Sequence, residues 1–276
     1  MAETVLREAR PSEPCPATAA PVSIASVTLA AQAPEALAGF YERLGLTRLP
    51  GEAGAVRLGV GDATLLRLTQ ATLPAAKAAG LFHTALLLPS RAALGRWLAA
   101  MRDGGVAFTG AADHDVSEAL YLDDPEGNGV EVYADRPAAD WLRDGDGYAM
   151  TTRPMDVEAV LATGGGADAA MPAGTCVGHV HLRAADIAAA ERLYVEGLGM
   201  AVTHRGPSAA WLGAGGYHHH LAVNAWAGPL PPREAGQPGL EAIVLRAAAD
   251  VRPQVSAALA AATWRDPSGA ALALEP

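Results

Sequence analysis

Apolar and polar residues follow the same order four times along the chain. In the clearest copy, residues 178–200, an alternating run typical of a β-strand leads to an Asp that can cap a helix, an alanine-rich stretch and a Leu-Gly turn. Related copies begin near residues 25, 80 and 239. This repeat predicts an α+β fold of four βαβββ modules, in which each pair of modules curves its strands into a half-barrel around one cavity.

The repeats also divide the chain. Modules 1 and 2 fall within residues 21–134, and modules 3 and 4 fall within residues 176–276. Residues 135–175 are interrupted by several Pro and Gly residues, which predicts a linker. Residues 1–20 contain prolines and predict an extended tail. The fourth copy is shorter than the second, so we expect one of its strands to be shortened or missing.

The amino-acid composition disfavours some classes of binding partner. Half of the 276 residues are hydrophobic and 18% are charged, which is typical of a globular protein. Twenty basic and 30 acidic residues give a net charge of −10, which disfavours nucleic acid as a partner. The chain has no apolar run as long as a membrane span and no apolar signal core near its start, and Cys15 and Cys176 have no CxxC spacing. We therefore expect a cytoplasmic protein that does not bind membranes.

The most informative acidic residue lies near the end of module 2. Two strand patterns, residues 119–122 and 129–133, flank an Asp-Pro-x-Gly turn and predict a hairpin. Glu131 alternates with two valines, so it points to the face opposite them. If the valines pack beneath the helices, Glu131 faces the cavity. In the alternative, the valines face the core and Glu131 faces water, which is the usual arrangement for a charged residue.

Three histidines accompany this carboxylate. His83 and His179 occupy equivalent strand positions in the repeat, and His181 shares a face with His179, so either of the latter two can be a ligand. A histidine in an apolar strand is also typical of a hydrogen-bonded core residue. Two imidazoles and one carboxylate form the ligand set that suits Fe(II) in dioxygen chemistry. A catalytic Zn²⁺ site uses the same ligand types.

A longer motif surrounds Glu131. The run His114-x5-Leu120-Tyr121-x2-Asp124-Pro125-x-Gly127-x3-Glu131 resembles the signature of the type I extradiol ring-cleavage dioxygenases. These enzymes lie within the vicinal oxygen chelate superfamily, which also contains glyoxalase I. The sequence departs from the signature at Ala112, where the family's pattern prefers Gly, Asn, Thr or an aliphatic residue. Within the family, the chain looks most like the Bacillus-type catechol 2,3-dioxygenases.

The resemblance implies a role for each matching residue. Glu131, His83 and His179 would bind the metal, which would be Fe(II) or, as an alternative, Mn(II). Tyr121 would hydrogen-bond the substrate or intermediate. The family's acid and base histidine falls in the run His218, His219 and His220, with His219 as the best candidate. The substrates would be a small aromatic diol and dioxygen, and the product a muconic semialdehyde. Four residues are expected as pocket walls, although aromatic residues more often belong simply to the core: Trp211, Trp226, Tyr217 and Leu86.

The metal ligands lie in different modules here from those of the best-known extradiol enzymes. Those enzymes hold the metal between modules 3 and 4, whereas here Ala242 and Ala273 occupy the ligand positions of module 4. Module 1 has Ser26 at the histidine position. Only modules 2 and 3 carry a complete set, so we expect these two to enclose the metal and modules 1 and 4 to form a metal-free partner. Otherwise the site has degenerated.

Two other functions remain open on this scaffold. The first is a glyoxalase-like metal-dependent isomerase or lyase, which the resemblance associates with two carboxylates and two imidazoles. Only Glu131 is evident here as a carboxylate ligand. The second is a metal-free protein that binds an aromatic compound or drug and confers resistance, for which an intact ligand set would be unnecessary. A homo-oligomer is also compatible with the sequence.

Overall fold

The structure, a computed structural model, describes residues 17–51, 53–184, 186–260 and 265–276. The strands in this part of the chain are β1 (Val22–Ala31), β2 (Thr47–Arg48), β3 (Ala55–Val60), β4 (Ala63–Gln70), β5 (Gly80–Leu87), β6 (Gly110–Asp113), β7 (Ser117–Asp123), β8 (Gly129–Asp135), β9 (Arg143–Asp144), β10 (Gly147–Tyr148), β11 (Arg153–Pro154), β12 (Cys176–Arg183), β13 (Ala201–Gly206), β14 (Ala209–Gly213), β15 (Leu221–Asn224), β16 (Gly239–Ala247) and β17 (Ala271–Leu274). The α-helices are α1 (Pro34–Arg43), α2 (Arg91–Asp103), α3 (Val157–Gly164), α4 (Ile187–Arg192) and α5 (Arg252–Ala260). Short turns of other helix types cover Ala17–Ala19, Ala138–Asp140 and Leu193–Gly197. None of these helices is long and apolar enough to cross a membrane.

Two mixed sheets form the body of the molecule. The six-stranded sheet has the order β17-β16-β1-β4-β3-β2, and the nine-stranded sheet has the order β11-β6-β7-β8-β5-β12-β15-β14-β13. At the centre of each sheet the first strands of two modules run antiparallel, β1 beside β16 and β5 beside β12. The strands β1 and β5 also pair in parallel with the last strands of their own modules, β4 and β8. The predicted α+β class is confirmed.

Strand pairing joins module 2 to module 3 in the larger sheet and module 1 to module 4 in the smaller one. The segments of module 4 that the structure describes contain β16, α5 and β17, two strands fewer than a full βαβββ unit. The two sheets share one hydrophobic core, because β1 contacts β12 and a single cluster of buried residues includes side chains from both sheets.

The segment between modules 2 and 3 has elements of its own. The strands β9 and β10 form a hairpin, and β11 extends the nine-stranded sheet by pairing with β6. Helix α3 packs against α2 at a point where a Cβ on Gly95 would lie 2.4 Å from the carbonyl oxygen of Val160. Of the expected tail, residues 1–16, including Cys15, lie outside the described residues. The next three residues form a 3-10 turn in which Ala17 is buried.

Two tyrosines link modules that are neighbours in the chain. The Tyr41 hydroxyl, on α1, donates to Asp124 Oδ2 at 3.0 Å, and the Tyr194 hydroxyl, just after α4, donates to Asp266 Oδ2 at 2.6 Å. Both aspartates begin Asp-Pro-x-Gly turns, in modules 2 and 4. Burial raises the pKa of each carboxyl, against the hydrogen bonds that it accepts. These bonds therefore join module 1 to module 2 and module 3 to module 4.

Candidate metal centre

The three predicted metal ligands lie on three neighbouring strands of the nine-stranded sheet. Glu131 of β8 and His179 of β12 both pair with Ala85 of β5, one on each side. His83 precedes Ala85 by two residues, so it points to the same face. Because Ala85 has only a methyl side chain, the space above it is left to the three larger side chains, which meet there.

The ligand atoms of these residues form a small triangle. His83 Nε2 lies 3.0 Å from Glu131 Oε2 and 3.2 Å from His179 Nε2, and His179 Nε2 lies 3.2 Å from Glu131 Oε2. All three side chains are buried. Within the described residues they are the only three His, Cys, Asp or Glu side chains that bring ligand atoms within 4.8 Å of one another.

The pKa shifts of Glu131 and His179 indicate the protonation state of each side chain. Burial raises the pKa of Glu131, but the neighbouring His179 and His83 outweigh it and hold this pKa well below its ordinary value. Burial lowers the pKa of His179 to about 4, although Glu131 acts in the opposite direction. Glu131 is therefore a carboxylate and His179 a neutral imidazole. These are the protonation states in which such side chains bind metal ions.

The donor set fits a divalent metal ion. Lone pairs on two ring nitrogens and a carboxylate oxygen repel one another when they face a common point, unless a cation or a shared proton lies among them. Adjacent ligands of an octahedral ion with bonds of about 2.1 Å lie about 3.0 Å apart, close to the 3.0 and 3.2 Å spacings of the triangle. On the far side of its ring, His179 Nδ1 is buried and has no hydrogen-bond partner in the described chain. Contacts with the rings of Tyr133 and His219 hold this imidazole instead.

Two β-bulges shape the strands that carry the histidines. The pairing of β5 with β12 skips Gly178 between Val177 and His179, and it skips Phe82 on the opposite strand. A bulge adds an unpaired residue and redirects neighbouring side chains. Phe82 therefore turns toward the site, and its ring centroid lies 5.3 Å from that of His83.

His181 lies beside the triangle rather than in it. It pairs with His83 across the strands, and the two ring centroids are 5.0 Å apart. Its Nε2 lies 3.0 Å from the side-chain nitrogen of Asn224. Burial lowers the pKa of His181 well below its ordinary value, so this ring is neutral. Of the two histidines that the sequence left open, His179 is the one that meets His83 and Glu131.

The three consecutive histidines lie in an irregular segment directly before β15, not within a strand. They therefore do not alternate between the two faces of a strand. The His219 ring lies 4.1 Å from the His179 ring, measured between centroids. His218 lies behind it, with Nδ1 2.7 Å from His219 Nδ1 and Nε2 2.8 Å from Asp135 Oδ1.

His220 is bound to the backbone through both ring nitrogens. Its Nδ1 accepts from the Ala214 N–H at 3.2 Å, and its Nε2 lies 2.9 Å from the carbonyl oxygen of Ala17. Burial lowers the pKa of His220 to about 4. This histidine therefore fastens the turn at residues 17–19 and takes no part in the triangle.

Tyr121 also lies next to the triangle. It pairs with Glu131 across β7 and β8, and its ring centroid is 5.7 Å from that of His83. Its hydroxyl lies 2.6 Å from His114 Nε2, and His114 Nδ1 lies 2.7 Å from the carbonyl oxygen of Thr151. Because a carbonyl can only accept, Nδ1 carries a proton, and in the neutral imidazole Nε2 accepts from Tyr121. Sequence reasoning missed this role for His114, although the residue stands in the quoted motif.

Aromatic side chains line one side of the site. The ring centroid of Phe82 lies 4.9 Å from that of His181 and 5.3 Å from that of the half-exposed Trp226. Trp211 is 6.1 Å from His181. The expectation for Leu86 is wrong, because this side chain points to the opposite face of β5 and packs in the main core. The expectation for Tyr217 is also wrong, because its ring is fully buried away from this surface.

Comparison with known proteins identifies the fold. Residues 23–132 match the family model of the Glyoxalase/Bleomycin resistance protein/Dioxygenase superfamily. Glyoxalase I from Zea mays has a TM-score of 0.53 with this chain, at 14% identity, over 92% of both chains. A solved protein from Bacillus subtilis subsp. subtilis str. 168 has a TM-score of 0.58, at 14% identity, over 86% of this chain and 74% of that one. The predicted resemblance to the superfamily is confirmed, and the fold is of the glyoxalase type.

A more specific similarity is to Catechol-2,3-dioxygenase from Bacillus subtilis (strain 168). The two sequences are 45% identical over 174 residues, which is 61% of this chain and 61% of that protein. The predicted likeness to the Bacillus-type enzymes is confirmed. The match spans less than two thirds of that relative's length.

Proposed function

We propose that this protein is an extradiol ring-cleaving dioxygenase, which opens a catechol beside its hydroxyl groups to give a muconic semialdehyde. The observation that supports this most directly is the triangle of His83, His179 and Glu131. Two imidazoles and a carboxylate on one side of a metal leave other positions open, as Fe(II) oxygenases require. The 45% identity to a catechol-2,3-dioxygenase supports the same reaction class.

Fe(II) is the metal proposed for this ligand set, with Mn(II) as the alternative. When bound, it would supply the one-electron chemistry that allows an aromatic diol to react with dioxygen. The aromatic side chains beside the triangle, Phe82 and Trp226, offer a flat apolar surface for the ring of the diol. Modules 2 and 3 would then enclose the site, since β5 and β8 come from one and β12 from the other.

Two side chains would handle protons and oxygen atoms. His219, whose ring packs against that of His179, would be the base that takes a proton from a catechol hydroxyl and returns it to the product. The Tyr121 hydroxyl, oriented by His114, would hydrogen-bond an oxygen of the substrate. One ring carbon–carbon bond is broken and both atoms of dioxygen enter the product. The reaction therefore needs no external reductant.

Metal content and ring cleavage test the proposal together. Protein purified without chelators should contain iron or manganese by elemental analysis. Anaerobic loading with Fe(II), followed by catechol and air, should give a yellow product. Glu131→Gln should lose both the metal and the activity while its circular dichroism stays that of the wild type. A panel of catechols that stays colourless with fully iron-loaded protein would rule out the proposed reaction.

A second carboxylate variant provides the control. Glu241 lies on β16 of the other sheet and accepts from Thr69 Oγ1 at 2.9 Å. Glu241→Gln should keep its metal and its activity. A metal-loaded protein that is inactive on every catechol would favour the isomerase or lyase alternative, whereas a protein that binds aromatic compounds without metal would favour the resistance-protein alternative. A cytoplasmic location and a homo-oligomeric state stay predictions.

A further inference from the structure

One ring contact and two hydrogen bonds connect the triangle with Asp135 at the end of β8. The His219 ring packs against the His179 ring at an interplanar angle of 45°, and His219 Nδ1 lies 2.7 Å from His218 Nδ1. His218 Nε2 lies 2.8 Å from Asp135 Oδ1. His218 is fully buried, whereas the side chain of Asp135, at the end of β8, is 22% exposed. The contacts thus connect a buried imidazole at the site with a carboxylate that reaches solvent.

With both imidazoles neutral, the chemistry of these groups sets the direction of each bond. A carboxylate only accepts hydrogen bonds, so His218 Nε2 donates to Asp135. A neutral imidazole that is protonated on Nε2 has a lone pair on Nδ1, so His218 Nδ1 accepts. The proton between the two rings then belongs to His219 Nδ1, which leaves His219 Nε2 unprotonated. No residue in the described ranges hydrogen-bonds to this nitrogen.

We infer that Asp135 and His218 are positioning residues, which hold His219 as the tautomer with an unprotonated Nε2. A histidine in this form can take a proton from a substrate hydroxyl, whereas the opposite tautomer, which free histidine prefers, cannot do so through Nε2. The carboxylate and the intervening ring also stabilise the positive charge that His219 acquires. Two tyrosines support the carboxylate, because Tyr217 donates to Asp135 at 3.3 Å and its hydroxyl lies 2.8 Å from that of Tyr133.

Nitrogen NMR tests the tautomer without any metal or substrate. Metal-free protein labelled with ¹⁵N in its eight histidines is studied at one pH, and the His219 signals are assigned by their loss in His219→Gln. In the wild type, His219 Nδ1 should have the shift of a protonated nitrogen and Nε2 that of an unprotonated one. A protonated Nε2 with a bare Nδ1 would overturn the inference.

Variants at the two positioning residues test the cause. His218→Phe keeps a ring but no acceptor, so His219 should shift toward the Nε2-protonated tautomer. His218→Asn places a carbonyl within reach of His219 and should restore the wild-type pattern. If His218→Phe does not fold, Asp135→Ala serves instead and should give a mixture of tautomers. An unchanged His219 in a folded His218→Phe or Asp135→Ala protein would contradict the role of that residue. His220→Asn, which alters a histidine bound only to backbone, should leave the His219 tautomer as it is.

The catalytic consequence rests on the proposed function and has a separate readout. With Fe(II) bound, His218→Phe should lower kcat for catechol about 100-fold, in line with the loss of a general base, while KM and iron content stay unchanged. His218→Asn should recover most of kcat. A wild-type protein that binds iron but cleaves no catechol would refute the proposed function and leave the tautomer assignment to the NMR result. Equal loss of kcat in His218→Phe and His218→Asn would refute the positioning role.

Discussion

The hydroxyl of Tyr133 lies directly beneath Gly178. A Cβ built on Gly178 would lie 1.9 Å from the hydroxyl oxygen of Tyr133 and 2.8 Å from its Cζ. Gly178 is also the unpaired residue of the bulge in β12. The absence of a side chain therefore allows the Tyr133 ring to pack 4.9 Å from His179 and its hydroxyl to reach Tyr217.

Replacing this glycine should therefore destabilise the protein. Gly178→Ala should lower the free energy of unfolding by about 1–3 kcal/mol, the usual cost of overpacking, and weaken metal binding because the support of His179 moves. Gly39→Ala is the matched control, because Gly39 lies inside α1 with nothing within 4 Å of its Cβ position. That change should stabilise the protein by about 0.5–1 kcal/mol through helix propensity. Urea unfolding and metal titration measure both, and a Gly178→Ala protein as stable as the wild type would contradict the packing argument.

Cys176 should react slowly in the folded state. Burial, and secondarily Asp135, raise the pKa of its thiol to about 12. The thiolate is the reactive form, and at pH 8 it would make up only ~10⁻⁴ of such a thiol. In the Cys15→Ser variant, where Cys176 is the sole thiol, the rate of reaction with a disulfide reagent should rise about tenfold per pH unit from pH 7 to 10. Denatured protein should instead level off near pH 9. A folded protein that levels off there would show an ordinary thiol pKa.

The residues at the site differ in how far the sequence could predict them. The repeat alone places His83 and His179 at equivalent positions on two strands, and alternation places Glu131 opposite its valines. Phe82 could not be predicted, because a bulge, not alternation, turns it toward the site. The partnership of Asp135 with His218 joins the end of β8 to a segment before β15, and no local pattern indicates such a contact.

Two equivalent helices begin with different caps. Helix α4 has Asp186 at its N-cap, where the side chain accepts from the Ala189 N–H at 2.9 Å. Helix α1 has Ala33 there and no cap of its own. Glu126, from the turn between β7 and β8, accepts instead from the N–H groups of Gln32 and Ala33 at 2.8 and 2.9 Å. Module 2 thus completes a helix of module 1.

An N-cap at residue 33, which would accept from another N–H group of the same helix terminus, should offset the loss of Glu126. Glu126→Ala should lower the free energy of unfolding by about 1 kcal/mol, the typical value of an N-cap. Ala33 and Asp186 have similar backbone angles, with φ −135° and −127°. Ala33→Asp in the Glu126→Ala background should therefore recover most of the lost stability. Chemical denaturation of the single and double variants measures this. A double variant no more stable than Glu126→Ala would show that an N-cap at residue 33 does not offset the lost hydrogen bonds to the Gln32 and Ala33 N–H groups.

Whole elements were easier to predict than their connections. The four strand and helix runs follow from periodicity, which a single stretch of chain contains. The contributions of β11 and α3 within residues 135–175 could not be predicted. The Pro and Gly residues of this segment are typical of a linker, and a strand of two residues is too short to show a periodic pattern. The irregular backbone of the three histidines was missed for a similar reason, since the apolar run that follows them resembles a continuous strand.

At the scale of the whole molecule, each module is tied to two others by different means. The sheets join module 2 to module 3 and module 1 to module 4, while the buried tyrosine–aspartate bonds join module 1 to module 2 and module 3 to module 4. Together these contacts connect the four modules in a closed ring. No module can separate from the others without breaking both a sheet contact and a buried hydrogen bond. We expect the described body of the protein to unfold in one cooperative transition.

The two tyrosine bonds should differ in strength, because the aspartates have different partners. Asp124 Oδ2 also accepts from Asn128 Nδ2 at 2.8 Å, whereas Asp266 Oδ2 has Tyr194 as its single donor among the described residues. Tyr194→Phe should therefore cost about 1.5–3 kcal/mol, the range for hydrogen bonds to charged groups, and Tyr41→Phe roughly half of that. The bonds share no partners, so the two losses should add in the double variant.

The stability lost in Tyr194→Phe should depend on pH, because the Asp266 carboxyl titrates. Burial raises the pKa of Asp266 in the folded protein above its value in the unfolded chain. Ionisation of this carboxyl therefore destabilises the folded state. Without the Tyr194 donor this pKa should rise further, and the cost of Tyr194→Phe should be largest near pH 7 and shrink as the pH falls toward 4 and the carboxyl takes up a proton. Denaturant unfolding at several pH values, followed by both fluorescence and circular dichroism, measures the loss and the cooperativity. A cost that is independent of pH would show that Asp266 does not change its protonation state in this range, and two separate transitions would show that the ring of contacts is not closed.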